Sequence, residues 1–273
     1  MRPALSLAFL TTFEVGPVDA VKIAAETGYD MVGLRLLPAA ASGEGPYPIM
    51  SDKIVQDEVY AVLRDTGVKL ADVEIVRLGA NTLIDDFKPF CALAEKLGAR
   101  HVLVAGDDPE ESRLTDNFAA FCALAQAHKL TADLEFMPWT AVKTLLQAAR
   151  IVAEARMPNG GVLIDALHYD RAHATPEQIK SLPASQINYA QLCDGPVPYD
   201  PSDTGMIAIA RGARLLPGHG GIGLVNMLKA LPEGTPISIE VAEVERAKIV
   251  PAKQRAREAL AASLQVLDQA GVL

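Results

Sequence analysis

Four polar residues with oxygen-bearing side chains interrupt apolar segments in the second half of this chain. Because each has apolar neighbours on both sides, each is expected in a buried strand, where an unpaired carboxylate is costly. A salt bridge or a hydrogen-bonded core position explains any one of them equally well, but four on consecutive strands favour convergence on a metal ion. Three carboxylates and an amide oxygen are hard donors, which suit Mg²⁺ or Mn²⁺, with Co²⁺ or Zn²⁺ as alternatives. The residues are Glu135 in Asp-Leu-Glu-Phe-Met, Asp165 in Val-Leu-Ile-Asp-Ala, Gln191 in Asn-Tyr-Ala-Gln-Leu and Glu240 in Ile-Ser-Ile-Glu-Val.

Three basic side chains near these segments are candidates for contacting a substrate. His168 lies one short turn beyond Asp165, so it is expected to reach substrate oxygens or, alternatively, to donate a hydrogen bond to a metal ligand. Arg77 ends the segment Val-Glu-Ile-Val-Arg, and Arg214 precedes a glycine-rich turn. A guanidinium fork matches a carboxylate or a pair of oxygens, so both arginines are predicted to bind substrate. Arg77 is alternatively a solvated cation at a strand end, with Glu74 as a candidate partner.

Other residues near strand ends have two interpretations each. Arg35 interrupts Val-Gly-Leu-Arg-Leu-Leu and either reaches the pocket or pairs with an acidic neighbour. Trp139 either forms an apolar wall beside a substrate or packs in the core. Asp107 and Asp108 resemble a metal motif, but loop acidity or helix capping explains them more simply. Cys193 has no histidine at the spacing of an activating base, so nucleophilic catalysis is not supported.

These residues must be positioned by strands that alternate with helices along the whole chain. A loop rich in Ala, Gly and Pro is expected at 38–48, and Ser51 and Thr140 are predicted helix N-caps. Strands are predicted at 4–9, 31–37, 68–78, 101–105, 132–137, 162–166, 187–192 and 237–241. Helices are predicted at 18–27, 51–65, 87–97, 117–128, 140–155, 176–182, 224–230 and 251–270.

Regular strand–helix alternation predicts a parallel sheet covered by helices. Eight such units in about 250 residues match an α/β fold of the (β/α)8 TIM-barrel type, as a single domain over residues 1–273. A doubly wound sheet is the alternative, but it usually needs fewer strands, and no Gly-x-Gly-x-x-Gly motif follows the first strand. In a barrel, the active site lies at the carboxyl ends of the strands, where the four polar residues are expected.

Composition excludes several classes of protein. Acidic residues outnumber basic ones by 34 to 25, giving a formal charge of −9, so a nucleic-acid partner is not expected. The three cysteines share no short spacing, which excludes a disulfide framework or a cysteine zinc site. No apolar run reaches the roughly 20 residues of a membrane span, and no leader pattern is present, so a cytoplasmic location without a membrane partner is expected.

Together the motifs resemble a known family. The chain looks like the xylose-isomerase-like TIM-barrel superfamily, the sugar phosphate isomerase and epimerase group that also includes inosose and dehydroshikimate dehydratases. The resemblance covers essentially the whole chain and is densest from 134 to 240. It rests on Leu-Glu-Phe-Met-Pro-Trp, Ile-Asp-Ala-Leu-His, Gln-Leu-Cys-Asp, Arg-Leu-Leu-Pro-Gly-His-Gly and the glutamate of the eighth strand.

The resemblance implies a divalent-metal-dependent isomerase or epimerase acting on a keto-sugar or sugar phosphate. The metal would be bound by the four strand-end residues and would stabilise the enediolate that forms when a proton leaves beside a carbonyl. Glu135 and Glu240 are expected to exchange that proton from opposite sides, with His168 as the third catalytic residue. The expected partner is a small sugar-like or polyol-like substrate, and a homo-oligomer is left open.

Some residues depart from the family pattern. Gln191 stands where many epimerases have a histidine, and His219 stands in a turn where the family often has Glu or Gln. The family's nuclease members, which resemble endonuclease IV, use a cluster of zinc-binding histidines. This chain has five histidines in all, so a role in DNA repair is not expected.

Two other functions stay open. A dehydratase resembling 3-dehydroshikimate dehydratase begins with the same proton removal and then loses a hydroxyl group. Gln191, the Ile-Asp-x-x-His segment and the Arg-x-x-Pro-Gly-x-Gly turn occur in those enzymes too, although the second strand lacks the glutamate expected of them. A barrel without catalytic activity, used as a binding module, is the third interpretation.

Overall fold

The alternating strand and helix segments fold into a closed parallel barrel. The structure is a computed structural model that describes residues 2–39 and 44–273. Within those ranges, eight strands pair in chain order, and the first closes onto the eighth with Ser6 opposite Ser238. The predicted (β/α)8 barrel is confirmed, and the doubly wound sheet is excluded. The strands are β1 (Leu5–Leu7), β2 (Met31–Arg35), β3 (Lys69–Leu78), β4 (His101–Gly106), β5 (Thr131–Glu135), β6 (Gly160–Asp165), β7 (Ala190–Leu192) and β8 (Ile237–Ile239).

Eleven α-helices within the described ranges connect the strands. Gly28 and Gly67 end the first two helices with positive φ angles of 94° and 76°, a conformation that glycine adopts without steric cost. None of the described helices is both long and apolar enough to cross a membrane. The helices are α1 (Pro17–Thr27), α2 (Lys53–Thr66), α3 (Lys88–Leu97), α4 (Glu111–Ala127), α5 (Leu145–Ala155), α6 (Ala166–Arg171), α7 (Pro176–Lys180), α8 (Asp203–Gly212), α9 (Leu224–Ala230), α10 (Val244–Ala247) and α11 (Ala252–Ala270).

Two predicted helix caps were wrong by a few residues. Asp52, not Ser51, caps α2, because its carboxylate accepts a hydrogen bond from the Ile54 amide at 2.8 Å. Thr144, not Thr140, caps α5. The Thr140 hydroxyl instead lies within hydrogen-bond distance of two carbonyl oxygens of its own loop, at 2.9 and 3.0 Å. In both cases a later polar residue offers the better cap geometry.

Other element boundaries also differ from the predictions. The first strand is shorter than 4–9, because Phe9–Thr12 forms a 3₁₀ turn. The fourth helix begins at Glu111 instead of 117. Helices α6, α8 and α10 were not predicted, since α6 and α10 are short and α8 follows a proline-rich segment. Residues 40–43 of the predicted loop at 38–48 lie outside the described residues.

Alternate residues of each strand face the barrel interior, so small polar residues can sit between apolar ones. Leu5 and Leu7 of β1 pack in the core formed with the helices, and Ser6 between them faces inward. Inward residues from alternate strands form layers in such barrels. The strand register places one polar layer near the amino ends of the strands and an acidic layer near their carboxyl ends. The residues of the lower layer are Ser6, Asp72, Asp133 and Tyr189.

Gly33 of β2 leaves room for the Asp72 side chain of the neighbouring strand β3. A Cβ atom built at Gly33 would lie 2.7 and 2.8 Å from the two carboxylate oxygens of Asp72. Gly33→Ala is therefore expected to lower the free energy of unfolding by about 1–3 kcal/mol, as overpacking does. Gly79→Ala is the control, because nothing lies within 4 Å of its Cβ position. Equal urea-denaturation midpoints for the two variants would contradict this prediction.

Candidate active site

The carboxyl ends of the strands open into a cavity of about 330 Å³. Five of the seven predicted site residues line it. Asp165 and Gln191 do not line it and are fully buried. The lining residues from the predicted set are Arg77, Glu135, His168, Arg214 and Glu240.

Arg214 is the central cation of this site. Its Nη1 atom donates to Asp165 Oδ2 at 2.6 Å, and its Nη2 atom lies 2.8 Å from Glu240 Oε2. Nη1 also donates to Cys193 Sγ at 3.1 Å, and Nε donates to the Ala210 carbonyl at 2.9 Å. Because all three nitrogen atoms have protein partners, the guanidinium is fixed between two buried carboxylates. Its predicted contact with substrate stays a prediction.

Glu240 is held from two sides. Arg214 contacts Oε2, and the Gln191 side-chain amide donates to Oε1 at 3.0 Å. Gln191 is adjacent to β8 in the barrel, because its register partner is Ser238, two residues before Glu240. The Gln191 amide oxygen is buried and has no hydrogen-bond partner among the described residues. Both oxygens of Glu240 are therefore engaged, while the oxygen of Gln191 is available to a ligand.

Glu135 lies beside Asp165 but takes no part in the ion pairs of Arg214. Its Oε1 atom is 3.7 Å from His168 Nε2, and no described Lys or Arg forms an ion pair with it. Asp165 caps α6 by accepting the His168 backbone amide at 2.9 Å, which explains the three-residue spacing seen in the sequence. Ligand atoms of Glu135, Asp165 and His168 all lie within 4.8 Å of one another. The Trp139 ring packs edge-on against the imidazole at 5.0 Å.

Burial sets the protonation of these groups. Burial, together with repulsion from Asp165 and Glu240, raises the pKa of Glu135 well above its usual range. Burial likewise raises the pKa of Glu240 to about 8, although Arg214 opposes the shift. Burial would also raise the pKa of Asp165, but attraction to Arg214 outweighs it and the pKa lies below its usual value. Burial lowers the pKa of His168 to about 4, so its imidazole is neutral near pH 7.

The charge and donor atoms of the site fit a divalent cation. Glu135, Asp165 and Glu240 bring three formal negative charges, and Arg214 neutralises one of them. The two that remain match the charge of one divalent ion, and the free amide oxygen of Gln191 adds a neutral hard donor. Carboxylate and amide oxygens favour Mg²⁺ or Mn²⁺, and His168 would add a ligand that Zn²⁺ and Co²⁺ accept. The predicted ligand set therefore stays a prediction that these contacts support.

The other polar residues predicted near the strand ends form ion pairs with neighbouring side chains. Arg77 forms a bidentate ion pair with Asp107 at 2.6 and 2.7 Å, so Glu74, the suggested partner, was the wrong one. Asp108 pairs with Arg113 at 2.6 Å. Arg35 reaches the cavity and also pairs with Glu74 at 2.7 Å, so both interpretations of this residue hold.

Three residues at the mouth of the cavity were missed at the sequence level. The Arg35 guanidinium stacks on the Phe9 ring at 4.4 Å and donates to Glu44 at 2.9 Å. The Tyr47 hydroxyl donates to the same carboxylate at 3.0 Å. These contacts join the turn after β1 to the segment after β2 across the cavity mouth. Phe9 belongs to a separate element from Arg35, and Glu44 and Tyr47 lie in a loop, so no strand or helix spacing indicates these residues.

A closed parallel barrel with carboxylates at the carboxyl ends of its strands is the architecture of TIM-barrel enzymes. The chain belongs to the xylose isomerase-like TIM barrel family, whose model matches residues 21–268. The predicted family is thus confirmed. Among curated proteins, a 3-dehydroshikimate dehydratase of Pseudomonas putida is 25% identical over 186 residues, which are 65% of this chain and 28% of that protein. A 3-dehydroshikimate dehydratase of Pseudomonas aeruginosa is 27% identical over 158 residues, 55% of this chain and 24% of that protein.

The chain spans about a quarter of the length of these curated relatives. Solved structures show the same fold. A xylose isomerase-like TIM barrel/4-hydroxyphenylpyruvate dioxygenase fusion protein matches 99% of this chain and 43% of its own, with a TM-score of 0.82 and 20% identity. The IOLI protein with a bound zinc atom matches 98% of this chain and 99% of its own, with a TM-score of 0.79 and 20% identity. The D-allulose 3-epimerase of Methylomonas sp. matches 97% of this chain and 98% of its own, with a TM-score of 0.70 and 14% identity.

Proposed function

We propose that this protein is a divalent-metal-dependent dehydratase that acts on a hydroxylated cyclic ketone of the 3-dehydroshikimate type. The observation that carries the proposal is the asymmetry of the two glutamates. Glu240 is engaged at both oxygens by Arg214 and Gln191, whereas Glu135 has no such cation and faces the cavity. A one-sided site suits removal of a proton and a hydroxyl group from one face. It suits exchange of a proton between two faces less well.

The proposed metal ligands are Glu135, Asp165, Gln191 and Glu240, with Mg²⁺ or Mn²⁺ as the preferred ion. When bound, the ion would act as a Lewis acid on a substrate carbonyl, making the adjacent proton more acidic. Arg214 holds the pKa of Asp165 below its usual value, opposes the rise in the pKa of Glu240 and contacts both carboxylates. Gln191 holds Glu240 from its other side. These contacts make the ligand half of the site rigid, which favours precise positioning of a substrate.

Glu135 is proposed as the proton-transfer group. It first takes the proton beside the carbonyl, which leaves an enolate. The enolate's electron pair then forms the new C=C bond as the C–O bond to the neighbouring hydroxyl breaks. Glu135 then returns its proton to the departing oxygen, which leaves as water, so the enzyme ends in its starting state. His168, neutral and held against Trp139, is placed to hydrogen-bond a substrate oxygen beside Glu135.

The cations at the cavity mouth suit a substrate with a carboxylate. Arg35, Arg77 and Arg211 line the cavity above the buried carboxylates. A guanidinium group binds a carboxylate through two parallel hydrogen bonds. Arg77 is partly exposed, and Asp107 already holds its fork in a bidentate geometry, so a substrate carboxylate would share or replace that partner. We therefore propose that Arg77 binds the carboxylate of the substrate.

An isomerase or epimerase is the second candidate. The observation that favours it is that both Glu135 and Glu240 line the same cavity, as two-sided proton exchange requires. The two reactions share the first proton removal and differ in whether a hydroxyl group then leaves.

The test is an assay of metal-free protein, before and after addition of Mg²⁺ or Mn²⁺, on 3-dehydroshikimate, inososes and ketoses in deuterated water. A dehydratase is expected to produce a growing conjugated or aromatic ultraviolet band that depends on added metal. Deuterium uptake into a ketose without a new absorbance band would instead support the epimerase. Metal binding without any turnover or deuterium uptake would contradict both candidates.

A further inference from the structure

The barrel interior below the candidate active site contains a buried carboxyl group that has no hydrogen-bond partner among the described residues. Asp72 of β3 is 0% exposed, and neither of its carboxylate oxygens has a hydrogen-bond partner among the described residues. An isolated carboxylate in such surroundings is strongly unfavourable unless a cation or hydrogen-bond donors reach it. This group takes no part in the proposed reaction, so it requires a separate explanation.

Three hydroxyl groups near it are also unpartnered. The side-chain oxygens of Ser6, Ser238 and Tyr189 are buried without a hydrogen-bond partner among residues 2–39 and 44–273. Ser6 and Ser238 are register partners where the barrel closes. We call the set of Ser6, Asp72, Tyr189 and Ser238 the floor site.

The strand geometry directs these groups toward one another. The Asp72 carboxylate lies across Gly33 of β2, within 2.8 Å of its Cβ position, and so points toward β1, which carries Ser6. Asp72 is the register partner of His101, and the His101 ring stacks on the Tyr189 ring at 5.0 Å. The Tyr189 phenol, which comes from β7 across the barrel, therefore extends toward the strands that carry His101 and Asp72.

Neighbouring charges make the floor site attractive to a cation. Asp133 lies in the same layer, but it accepts hydrogen bonds from Thr131 at 2.5 Å and Asn188 at 2.7 Å. Burial, with repulsion from Glu74, Glu240 and Asp133, raises the pKa of Asp72 well above its usual range. His101, the nearest imidazole, is neutral near pH 7 because burial lowers its pKa to about 4. No charged Lys or Arg within the described residues pairs with Asp72.

We propose that the floor site binds one alkali cation, through the Asp72 carboxylate and the hydroxyl oxygens of Ser6, Ser238 and Tyr189. One carboxylate with three neutral oxygens carries a single negative charge, which a monovalent ion balances. The set offers no second carboxylate, thiolate or imidazole, so it lacks the charge and ligand types that divalent or soft metals select. The ion would be structural, since it lies below the residues that face the cavity.

The test compares thermal unfolding of the EDTA-treated protein in Li⁺, Na⁺, K⁺, Rb⁺ and choline chlorides at constant ionic strength. A saturable rise in Tm of about 2–6 °C is expected with Rb⁺ and at least one other alkali ion, and not with choline. Asp72→Asn and Ser238→Ala are expected to remove that rise. Ser263→Ala, a buried serine of α11 that donates to the Ala259 carbonyl, should keep it.

A crystal grown in Rb⁺ gives a second measurement on the unaltered protein. An anomalous peak at the floor site is expected. Equal Tm values in all five chlorides together with density for water alone at this site would overturn the proposal. Because neither readout uses turnover, failure here is separable from failure of the proposed dehydratase activity.

Discussion

Glu135→Gln is expected to lower turnover by about 10²–10⁴-fold at saturating Mn²⁺, the range lost when a general acid or base is removed. Glutamine keeps an oxygen of similar size but cannot take a proton. Under the proposed mechanism, solvent deuterium exchange into the substrate falls by the same factor, because one group performs both events. The measurement is product formation and deuterium uptake on the substrate that the assay identifies, with the metal content of the variant determined in parallel.

Glu240→Gln is the matched control for that variant. Glu240 also lines the cavity, but both of its carboxylate oxygens are already engaged by Arg214 and Gln191. Deuterium exchange is expected to continue in this variant when metal is saturating, even if product formation slows. Loss of exchange in Glu240→Gln with exchange retained in Glu135→Gln would mean that the roles of the two glutamates are reversed. Partial exchange in both variants would favour two-sided transfer and the epimerase.

The fold could be predicted because strand and helix segments differ in period, length and bounding residues. Short apolar segments such as Ile237–Ile239 alternate with longer helical patterns over the whole chain. Periodicity carries no information on closure, however. The pairing of β1 with β8 depends on contacts between residues more than 230 positions apart, as between Ser6 and Ser238. The count of eight strand–helix units and the absence of a Gly-x-Gly-x-x-Gly motif, and not the periodicity, supplied that part of the prediction.

The candidate site was predicted in part for a related reason. An acidic residue within an apolar strand indicated Glu135, Asp165 and Glu240, and all three lie at the carboxyl ends of their strands. The same signal occurs at Asp72 and Glu74 of β3, where it was not applied. Those two residues also face the interior and are buried.

The arrangement of charges within the site could not be read from spacing. Arg214 and Asp165 are 49 positions apart, and their ion pair exists because the chain after α8 returns over the barrel. From the sequence, the Arg214 guanidinium was predicted to bind the substrate. The fold directs that guanidinium to two of the proposed metal ligands. The partner of a buried cation depends on where its side chain points. Only the packed structure determines that direction.

Arg214→Met is expected to lower the free energy of unfolding by about 3–5 kcal/mol, the cost of leaving buried charges without their partner. Arg214 is nearly fully buried and contacts both Asp165 and Glu240. Arg150→Met is the control, because its ion pair with Glu111 is exposed and such pairs contribute little. The measurement is urea denaturation of metal-free protein, with the m-values compared to verify that the transitions are equivalent.

Adding Mn²⁺ to the same proteins separates the role of Arg214 from simple packing. With Arg214 removed, the three buried carboxylates lose the cation that competes for them, so a divalent ion is expected to bind more tightly to Arg214→Met than to the wild type. Mn²⁺ should then raise the free energy of unfolding of the variant by more than that of the wild type. Arg214→Lys, which keeps the charge without the fork, should lie between them. An equal Mn²⁺ effect in all three proteins would show that the ion does not bind at these carboxylates, and would overturn the proposed ligand set.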